Sequence, residues 1–196
     1  GLTSADESTR RFVRTVIEKR RTAVVVDADG LNALAPWPEE LRGTDEHPLI
    51  LTPHPGEMAR LLGADGTEAL TDRVAAAREF AMKHALILVL KGTRTLVAAP
   101  DGHVYLNPTG NAGLGTAGAG DTLTGIITGF LAQSAATLKA DADALAATIA
   151  AVYTGGLAGD LAAREKGMRT MLASDISRNL SRAIGALNPG EKHCER

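Results

Sequence analysis

The chain has 196 residues, 44% of them hydrophobic and 22% charged, which favours one folded domain and excludes an intrinsically disordered chain. The formal net charge of −2 does not favour nucleic acid as a partner. A single cysteine, Cys194, excludes a disulfide within the chain and fits a reducing compartment, and no apolar run reaches the roughly 18 residues of a membrane span.

Helical and strand patterns alternate along the chain. Apolar residues at helical spacing predict a first helix around residues 12–17, with Ser4 and Glu7 as its capping box. The remaining predicted elements are strands over 22–26 and 49–51, a helix after His54, a helix over 70–83, a strand over 86–90, a hairpin over 95–106 and three C-terminal helices.

This alternation predicts an α/β fold with a mainly parallel central sheet flanked by helices in three αβα layers. No linker or internal repeat divides the chain, so we expect a single domain over residues 1–187 and a tail over 188–196. Ligands of such sheets bind beyond the carboxyl ends of the strands. Polar groups cluster at those ends: Asp27-Ala-Asp29-Gly-Leu-Asn32, Thr52-Pro-His54-Pro-Gly-Glu57 and Lys91-Gly92-Thr93.

A glycine-rich loop, residues 115–120, leads directly into a predicted helix. Glycines allow the backbone to approach a ligand closely, and the free N–H groups of a helix start favour an anion such as phosphate. Asp121 follows the loop. There it can accept a proton from an attacking hydroxyl during phosphoryl transfer, or it is an ordinary residue of the first helical turn.

Four other positions allow both a functional and a structural interpretation. Lys91 can neutralise a phosphate or point into water at the end of its strand. His54, stiffened by the prolines on either side, can contact a ligand or serve only the turn. Asp27 and Asp29 can hold Mg²⁺ through water or cap the next turn.

The polar motifs occur in one order that resembles a known family. Asp27-Ala-Asp-Gly-Leu-Asn32, Thr52-Pro-His-Pro-Gly-Glu57, Leu90-Lys-Gly-Thr93 and the stretch 111–125 are similar to those of ATP/ADP-dependent NAD(P)H-hydrate dehydratases, which have a ribokinase-like fold. The resemblance covers residues 1 to about 187. The family domain is longer, so its N-terminal part is expected to be missing here. Ala117 and Ala119 depart from the glycine and hydroxyl residues usual in the family's loop.

The resemblance implies an enzyme, a carbon–oxygen lyase that restores NADH or NADPH from its hydrate. A phosphoryl group is transferred to the hydrate hydroxyl and leaves as phosphate. Asp121 would be the general base, and Mg²⁺ would be held through water by Asp27 or Glu57. The implied substrate-binding residues are Gly1, Asn32, His54 and Asp121, and the implied nucleotide-binding residues are Lys91, Gly92, Thr93, Arg94, Thr95, Asn111, Gly118, Ala119 and Gly120.

Two alternatives stay open at this point. One is a small-molecule kinase of the same fold, which would release a stable phosphoester of a vitamin or sugar alcohol. The other is a non-catalytic nucleotide-binding module. For the dehydratase we expect a cytoplasmic homo-oligomer that uses ATP or ADP, accompanied by a fused or separate NAD(P)H-hydrate epimerase, without nucleic acid or membrane as a partner.

Overall fold

The computed structural model describes residues 6–64 and 70–187, and in this part of the chain five strands form one sheet in sequence order. The strands are β1 (Val24–Val26), β2 (Leu49–Leu51), β3 (Ile87–Leu90), β4 (Leu96–Ala98) and β5 (Val104–Leu106). β1, β2 and β3 pair in parallel, as predicted, whereas the predicted hairpin adds β4 and β5 antiparallel. The sheet is therefore mixed, since a hairpin reverses the chain direction.

Seven α-helices accompany the sheet within the described residues. They are α1 (Glu7–Glu18), α2 (Asp29–Ala33), α3 (Pro55–Leu61), α4 (Arg73–His84), α5 (Ala119–Leu138), α6 (Ala144–Lys166) and α7 (Ala173–Leu187). The prediction of Ser4 and Glu7 as a capping box was wrong, because Asp6 is the N-cap of α1. The Asp6 side chain accepts a hydrogen bond from the Ser8 N–H, and Glu7 is the first residue of the helix. Ser4, the first substrate candidate Gly1 and the predicted tail all lie outside the described residues.

Side chains alternate across the strands and build a separate core on each face of the sheet. Leu49 and Leu51 of β2 point into a core that α1 and α4 complete. Ile50 between them points into a second core with Ile127 of α5 and Val152 of α6. Because successive strand residues face opposite sides, fully buried strands need helices on both faces. The predicted three-layer arrangement is confirmed.

Helix α6 is long and apolar enough, by length and composition, to cross a membrane. Half of its apolar stretch is buried inside the fold, where it packs between α5 and α7. Gly156 and Gly159 allow the segment before α5 to lie against this helix, because Cβ atoms there would meet Thr109 and Leu114. Packing within the fold accounts for the apolar composition of α6.

Candidate active site

The candidate site lies where the carboxyl ends of β1, β2 and β3 meet. Backbone hydrogen bonds continue past the strands: Thr52 N–H donates to Val26 O (3.2 Å) and Lys91 N–H donates to Pro53 O (2.8 Å). These bonds fix three polar segments side by side. Asp27, His54 and Lys91 are thereby held at one edge of the sheet, as the positions of the strand ends predict.

Asp27 and Lys91 form a mostly buried ion pair at this edge. Lys91 Nζ donates to Asp27 Oδ1 at 2.8 Å, and Thr124 Oγ1 of α5 donates to Asp27 Oδ2 at 2.6 Å. The side chains are 9% exposed for Asp27 and 18% for Lys91. Burial alone would raise the pKa of Asp27, but the bonds from Lys91 and Thr124 and the charge of Lys91 bring the pKa below its ordinary value. Asp27 is therefore a carboxylate at neutral pH.

The Lys91 ammonium also lies against the start of α5. A Cβ on Gly120, the second residue of the helix, would be only 3.5 Å from Lys91 Nζ. The first N–H groups of a helix have no partner within the helix, and they carry partial positive charge. The helix start and the Lys91 ammonium, whose charge Asp27 partly balances, therefore place N–H donors in one region, which suits a phosphate.

The loop reaches this geometry without strain at its alanines. The N-cap Gly118 has φ 82°, a left-handed conformation that glycine adopts freely. Ala117 and Ala119 are not among the residues with positive φ. The departure at Ala117 therefore costs the loop no backbone strain, because the position that requires glycine is Gly118.

His54 and Glu57 form a reciprocal capping box at the start of α3. His54 Nδ1 accepts from the N–H groups of Gly56 (3.0 Å) and Glu57 (3.2 Å), and the His54 N–H donates to Glu57 Oε2 (2.7 Å). Glu57 is buried, whereas the His54 side chain is 52% exposed. Glu57 Oε2 is also 3.8 Å from Lys91 Nζ, so this capping box borders the ion pair.

Asn32 lies in α2 and is tied to α3. Its Oδ1 accepts from Arg60 Nε at 2.9 Å, so both elements that carry the predicted substrate-binding residues Asn32 and His54 are joined. This bond holds the amide oxygen of Asn32. The amide nitrogen has no partner among the described residues and can donate to a ligand.

The predicted nucleotide-binding loop over residues 91–95 is held by α4. Arg73 Nη1 donates to Thr93 O (3.1 Å) and Arg73 Nη2 donates to Lys91 O (3.4 Å). Gly92 (φ 139°) and Arg94 (φ 53°) both have positive φ. Glycine is favoured at Gly92 by this conformation, and a Cβ there would lie 3.0 Å from Arg73 Nη2, so the arginine would have to shift.

Asn111 lies farther along the same face and is engaged by α6. Its Nδ2 donates to Asp160 Oδ1 (2.8 Å) and Gly159 O (3.1 Å), and its Oδ1 accepts from Gly113 N–H (2.9 Å). Asp160 Oδ2 in turn accepts from Gly110 N–H. No hydrogen bond in the described ranges joins Asn111 to the Lys91 group, so its visible role is to shape the segment that leads into the glycine loop.

Asp121 is the third residue of α5 and is exposed. Within residues 6–64 and 70–187 no hydrogen bond or ion pair holds its carboxylate, which leaves both oxygens available to a substrate. Its neighbour Gly120 lies against Lys91. A proton acceptor thus stands in the same helical turn as the candidate phosphate site, as the general-base interpretation requires.

The carboxylates suit Mg²⁺ only through water. No group of three or more His, Cys, Asp or Glu side chains within the described residues could enclose a metal ion. Both oxygens of Asp27 accept direct hydrogen bonds, and Glu57 Oε2 accepts the His54 N–H. Mg²⁺ usually keeps several waters and binds substrate phosphates with one or two carboxylates, which fits this edge.

Comparison with known proteins identifies the family of this chain. A sequence model described as NAD(P)H-hydrate dehydratase matches residues 1–182. The chain belongs to this family. Over 173 residues it is 49% identical to a bifunctional NAD(P)H-hydrate repair enzyme of Moorella thermoacetica, covering 88% of this chain and 31% of the relative. It is 40% identical over 159 residues to an ADP-dependent (S)-NAD(P)H-hydrate dehydratase of Bacillus subtilis, covering 81% of this chain and 53% of the relative.

Solved structures confirm the ribokinase-like fold for this family member. The Bacillus subtilis ADP/ATP-dependent NAD(P)H-hydrate dehydratase, co-crystallised with ATP/Mg²⁺, superposes with a TM-score of 0.79 at 37% identity, over 95% of this chain and 62% of that chain. A ribokinase-like superfamily protein of Enterococcus faecalis has a TM-score of 0.71 at 28% identity, over 95% and 60%. The chain thus spans roughly a third to two thirds of the length of these relatives.

Several residues that build this dehydratase-family site escaped the sequence analysis. They are Arg60, Arg73, Thr124 and Asp160, each of which holds a predicted site residue. Thr124 follows Asp121 by three positions, which places both on one side of α5, and this spacing could have drawn attention to it. Arg60, Arg73 and Asp160 belong to helices far along the chain from their partners, and no local pattern marks them.

Proposed function

We propose that the protein is a nucleotide-dependent NAD(P)H-hydrate dehydratase, which restores NADH or NADPH from the hydrated cofactor. The observation that carries the proposal is the position of the Lys91 ammonium beside the start of α5, 3.5 Å from where a Cβ on Gly120 would lie, immediately before Asp121. Hydrogen-bond donors for a phosphate and a proton acceptor thus lie close together. The names of the relatives supply the substrate class.

In the proposed reaction the hydroxyl oxygen of the hydrate attacks the terminal phosphorus of ATP or ADP. Asp121 accepts the hydroxyl proton, and the bond between that phosphorus and the bridging oxygen breaks, releasing ADP or AMP. The N–H groups at Gly118, Ala119 and Gly120, with Lys91, stabilise the charge on the transferred group. The ring nitrogen lone pair then expels phosphate, and a proton lost from the neighbouring carbon restores the double bond.

The remaining site residues bind and orient the two substrates. Residues 91–95 border the adenine nucleotide, with Arg73 holding their backbone in place. Gly1, Asn32 and His54 contact the hydrated cofactor, and Asn111 shapes the loop on the nucleotide side. Mg²⁺ accompanies the nucleotide and reduces the charge of its phosphates. Asp27 and Glu57 would reach the ion through water.

The proposal also covers the domain, the accompanying epimerase, the oligomeric state and the cellular location of the enzyme. One domain over residues 1–187 carries the activity, and an NAD(P)H-hydrate epimerase accompanies it, fused or separate, as the bifunctional relatives suggest. Exposed apolar side chains on α1, Phe12 (59%) and Val16 (43%), support association into a homo-oligomer. The single cysteine and the intracellular substrates support a cytoplasmic location.

Product analysis of Asp121→Asn tests this function. In the wild type we expect one inorganic phosphate for each NADH restored, whereas a small-molecule kinase would give a stable phosphoester. Asp121→Asn should keep nucleotide binding and lose about two orders of magnitude or more in rate, as expected for loss of a general base. Phosphorus NMR measures the products and the turnover rate, and nucleotide titration measures the binding.

The matched control is Asp143→Asn. Asp143 caps α6 through its bond from Ala146 N–H, and asparagine caps equally well. This variant should behave as the wild type. Near-normal turnover by Asp121→Asn would contradict the general-base role, and binding of nucleotide without any phosphate release by the wild type would contradict the dehydratase.

A further inference from the structure

Lys91, Asp27 and Thr124 form a chain of hydrogen bonds that joins separate parts of the fold. Asp27 follows β1, Lys91 follows β3, and Thr124 comes from the second turn of α5. Glu57 Oε2 lies 3.8 Å from Nζ, beyond hydrogen-bond distance. Among the described side chains, Asp27 is therefore the one that accepts a direct hydrogen bond from the ammonium.

A lysine needs such a partner to act at a fixed point. Its side chain is a flexible four-carbon stem, and its ammonium can donate in several directions. Asp27 fixes one N–H direction of Lys91, and the Thr124 hydroxyl occupies the second oxygen of Asp27 and so fixes the carboxylate plane. The 9% exposure of the Asp27 side chain keeps water from replacing either bond.

Thr124 also connects the ion pair to the helix that carries the phosphate site. It lies four positions after Gly120 and three after Asp121, so all three residues lie on neighbouring turns of one side of α5. A bond from Thr124 to Asp27 therefore fixes the start of α5 relative to the ends of β1 and β3. This bond and the Lys91 bond set the distance between Nζ and Gly120.

We propose that Asp27 and Thr124 are positioning residues that hold the Lys91 ammonium against Gly120, where it contacts the phosphoryl group in transfer. The proposal rests on the function proposed above and gives Asp27 a positioning role in addition to any contact with magnesium through water. Asp27 and Thr124 act through Lys91 and do not touch the substrates. Their loss should thus lower the turnover rate and the affinity for the nucleotide phosphates more than the affinity for the hydrate.

The test compares Thr124→Val, Thr124→Ser and Thr128→Val in the full chain. Valine keeps the shape of threonine and removes the hydroxyl, whereas serine keeps the hydroxyl. Thr128 lies one turn farther along α5, and among the described residues its hydroxyl bonds to the Thr124 carbonyl alone, so its valine variant is the matched control. We measure kcat and KM for hydrated NADH, ADP and ATP affinity by calorimetry without the hydrate, and thermal unfolding.

Thr124→Val should lose about tenfold or more in kcat and bind ADP or ATP more weakly, with KM for the hydrate changed less than about twofold. Thr124→Ser should recover most of both losses, and Thr128→Val should match the wild type. Asp27→Asn should repeat the Thr124→Val pattern where it folds. Equal behaviour of Thr124→Val and Thr128→Val, or a loss that Thr124→Ser does not recover, would overturn the proposal.

The nucleotide titration separates this proposal from the proposed function. If the wild type fails to restore NADH, the dehydratase function is wrong, and the affinities alone decide the positioning role. Weaker ADP or ATP binding by Thr124→Val, recovered in Thr124→Ser, would then still support it. Unchanged affinities in these variants would overturn it.

Discussion

The two ring nitrogens of His54 have different surroundings, which fit a capping role for one and the proposed ligand contact for the other. Nδ1 accepts two backbone N–H groups and caps α3, so in the neutral ring the proton is on Nε2. Nε2 lies 3.6 Å from Glu57 Oε1 on a side chain that is half exposed. The capping bonds orient the ring, and the free nitrogen is left to donate to a ligand.

This division can be tested with two substitutions of His54. His54→Ala should lose the cap, costing about 1 kcal/mol of stability, and should bind the hydrated cofactor more weakly. His54→Asn supplies another capping oxygen, so it should keep the stability but lose the same affinity for the hydrate. Denaturant unfolding and substrate titration measure the two effects.

ATP affinity is the control for both His54 variants and should change little, because the predicted nucleotide contacts lie on other segments. An equal loss of hydrate and ATP affinity in His54→Asn would contradict a substrate contact. It would mean that the imidazole supports the whole site.

His84 makes stability depend on pH far from the site. It is 3% exposed beside Phe80 and Trp37, and its Nδ1 has no hydrogen-bond partner in the described part of the chain. Burial, then the charges of Lys83 and Arg42, lower the pKa of His84, and Glu39 opposes them. The unfolded chain therefore takes up the proton more readily. Stability from the neutral ring is full above the unfolded pKa of about 6.5 and falls as the pH drops below it.

Replacing His84 should remove this dependence. Between pH 7 and 5 the wild type should lose stability with a contribution from His84 of at most about 1.4 kcal/mol per pH unit, and His84→Leu should lose correspondingly less. Parallel slopes for the wild type and His84→Leu in urea unfolding would contradict this account.

The helices α5 and α6 use glycine for different reasons. A Cβ on Gly156 of α6 would lie 2.2 Å from Thr109 Oγ1 and 2.9 Å from the Thr109 carbonyl carbon, so the segment before the glycine loop requires the missing side chain. A Cβ on Gly129 of α5 would meet no atom of the described residues within 4 Å. Glycine at Gly129 therefore has only the entropic cost of a flexible residue in a helix.

Alanine at these two glycines should have opposite effects. Gly156→Ala should destabilise the protein by about 1–3 kcal/mol, since the Thr109 backbone must move. Gly129→Ala should stabilise it by about 0.5–1 kcal/mol. Urea unfolding at pH 7 gives both values. A Gly156→Ala variant as stable as the wild type would contradict a close approach of Thr109 to Gly156.

Local patterns predicted the elements well and the contacts between them only in part. The strands and the long helices follow from apolar periodicity, and the meeting of Asp27, His54 and Lys91 follows from the rule for parallel strand ends. The five-residue helix α2 was missed because it is too short to have a period. The bonds of Arg60, Arg73 and Asp160 depend on how distant segments pack, which a pattern along one segment does not contain.

At the scale of the whole molecule, the site is assembled from the ends of three strands and the start of α5. The segments that follow β1, β2 and β3 supply Asp27, His54 and Lys91, and helix α5 supplies Gly120 and Asp121. The chain spans 31% of the Moorella relative and 53% of the Bacillus one. We propose that the protein, with this assembled edge, repairs hydrated cofactor at the expense of a nucleotide.

The most direct test follows absorbance at the reduced-nicotinamide band with hydrated NADH or NADPH, Mg²⁺, and ADP or ATP added in turn. We expect recovery of absorbance that requires nucleotide, identifies the phosphoryl donor, and is lost in Asp121→Asn. Nucleotide binding by the wild type without any recovery of absorbance, with either donor and either hydrate, would contradict it.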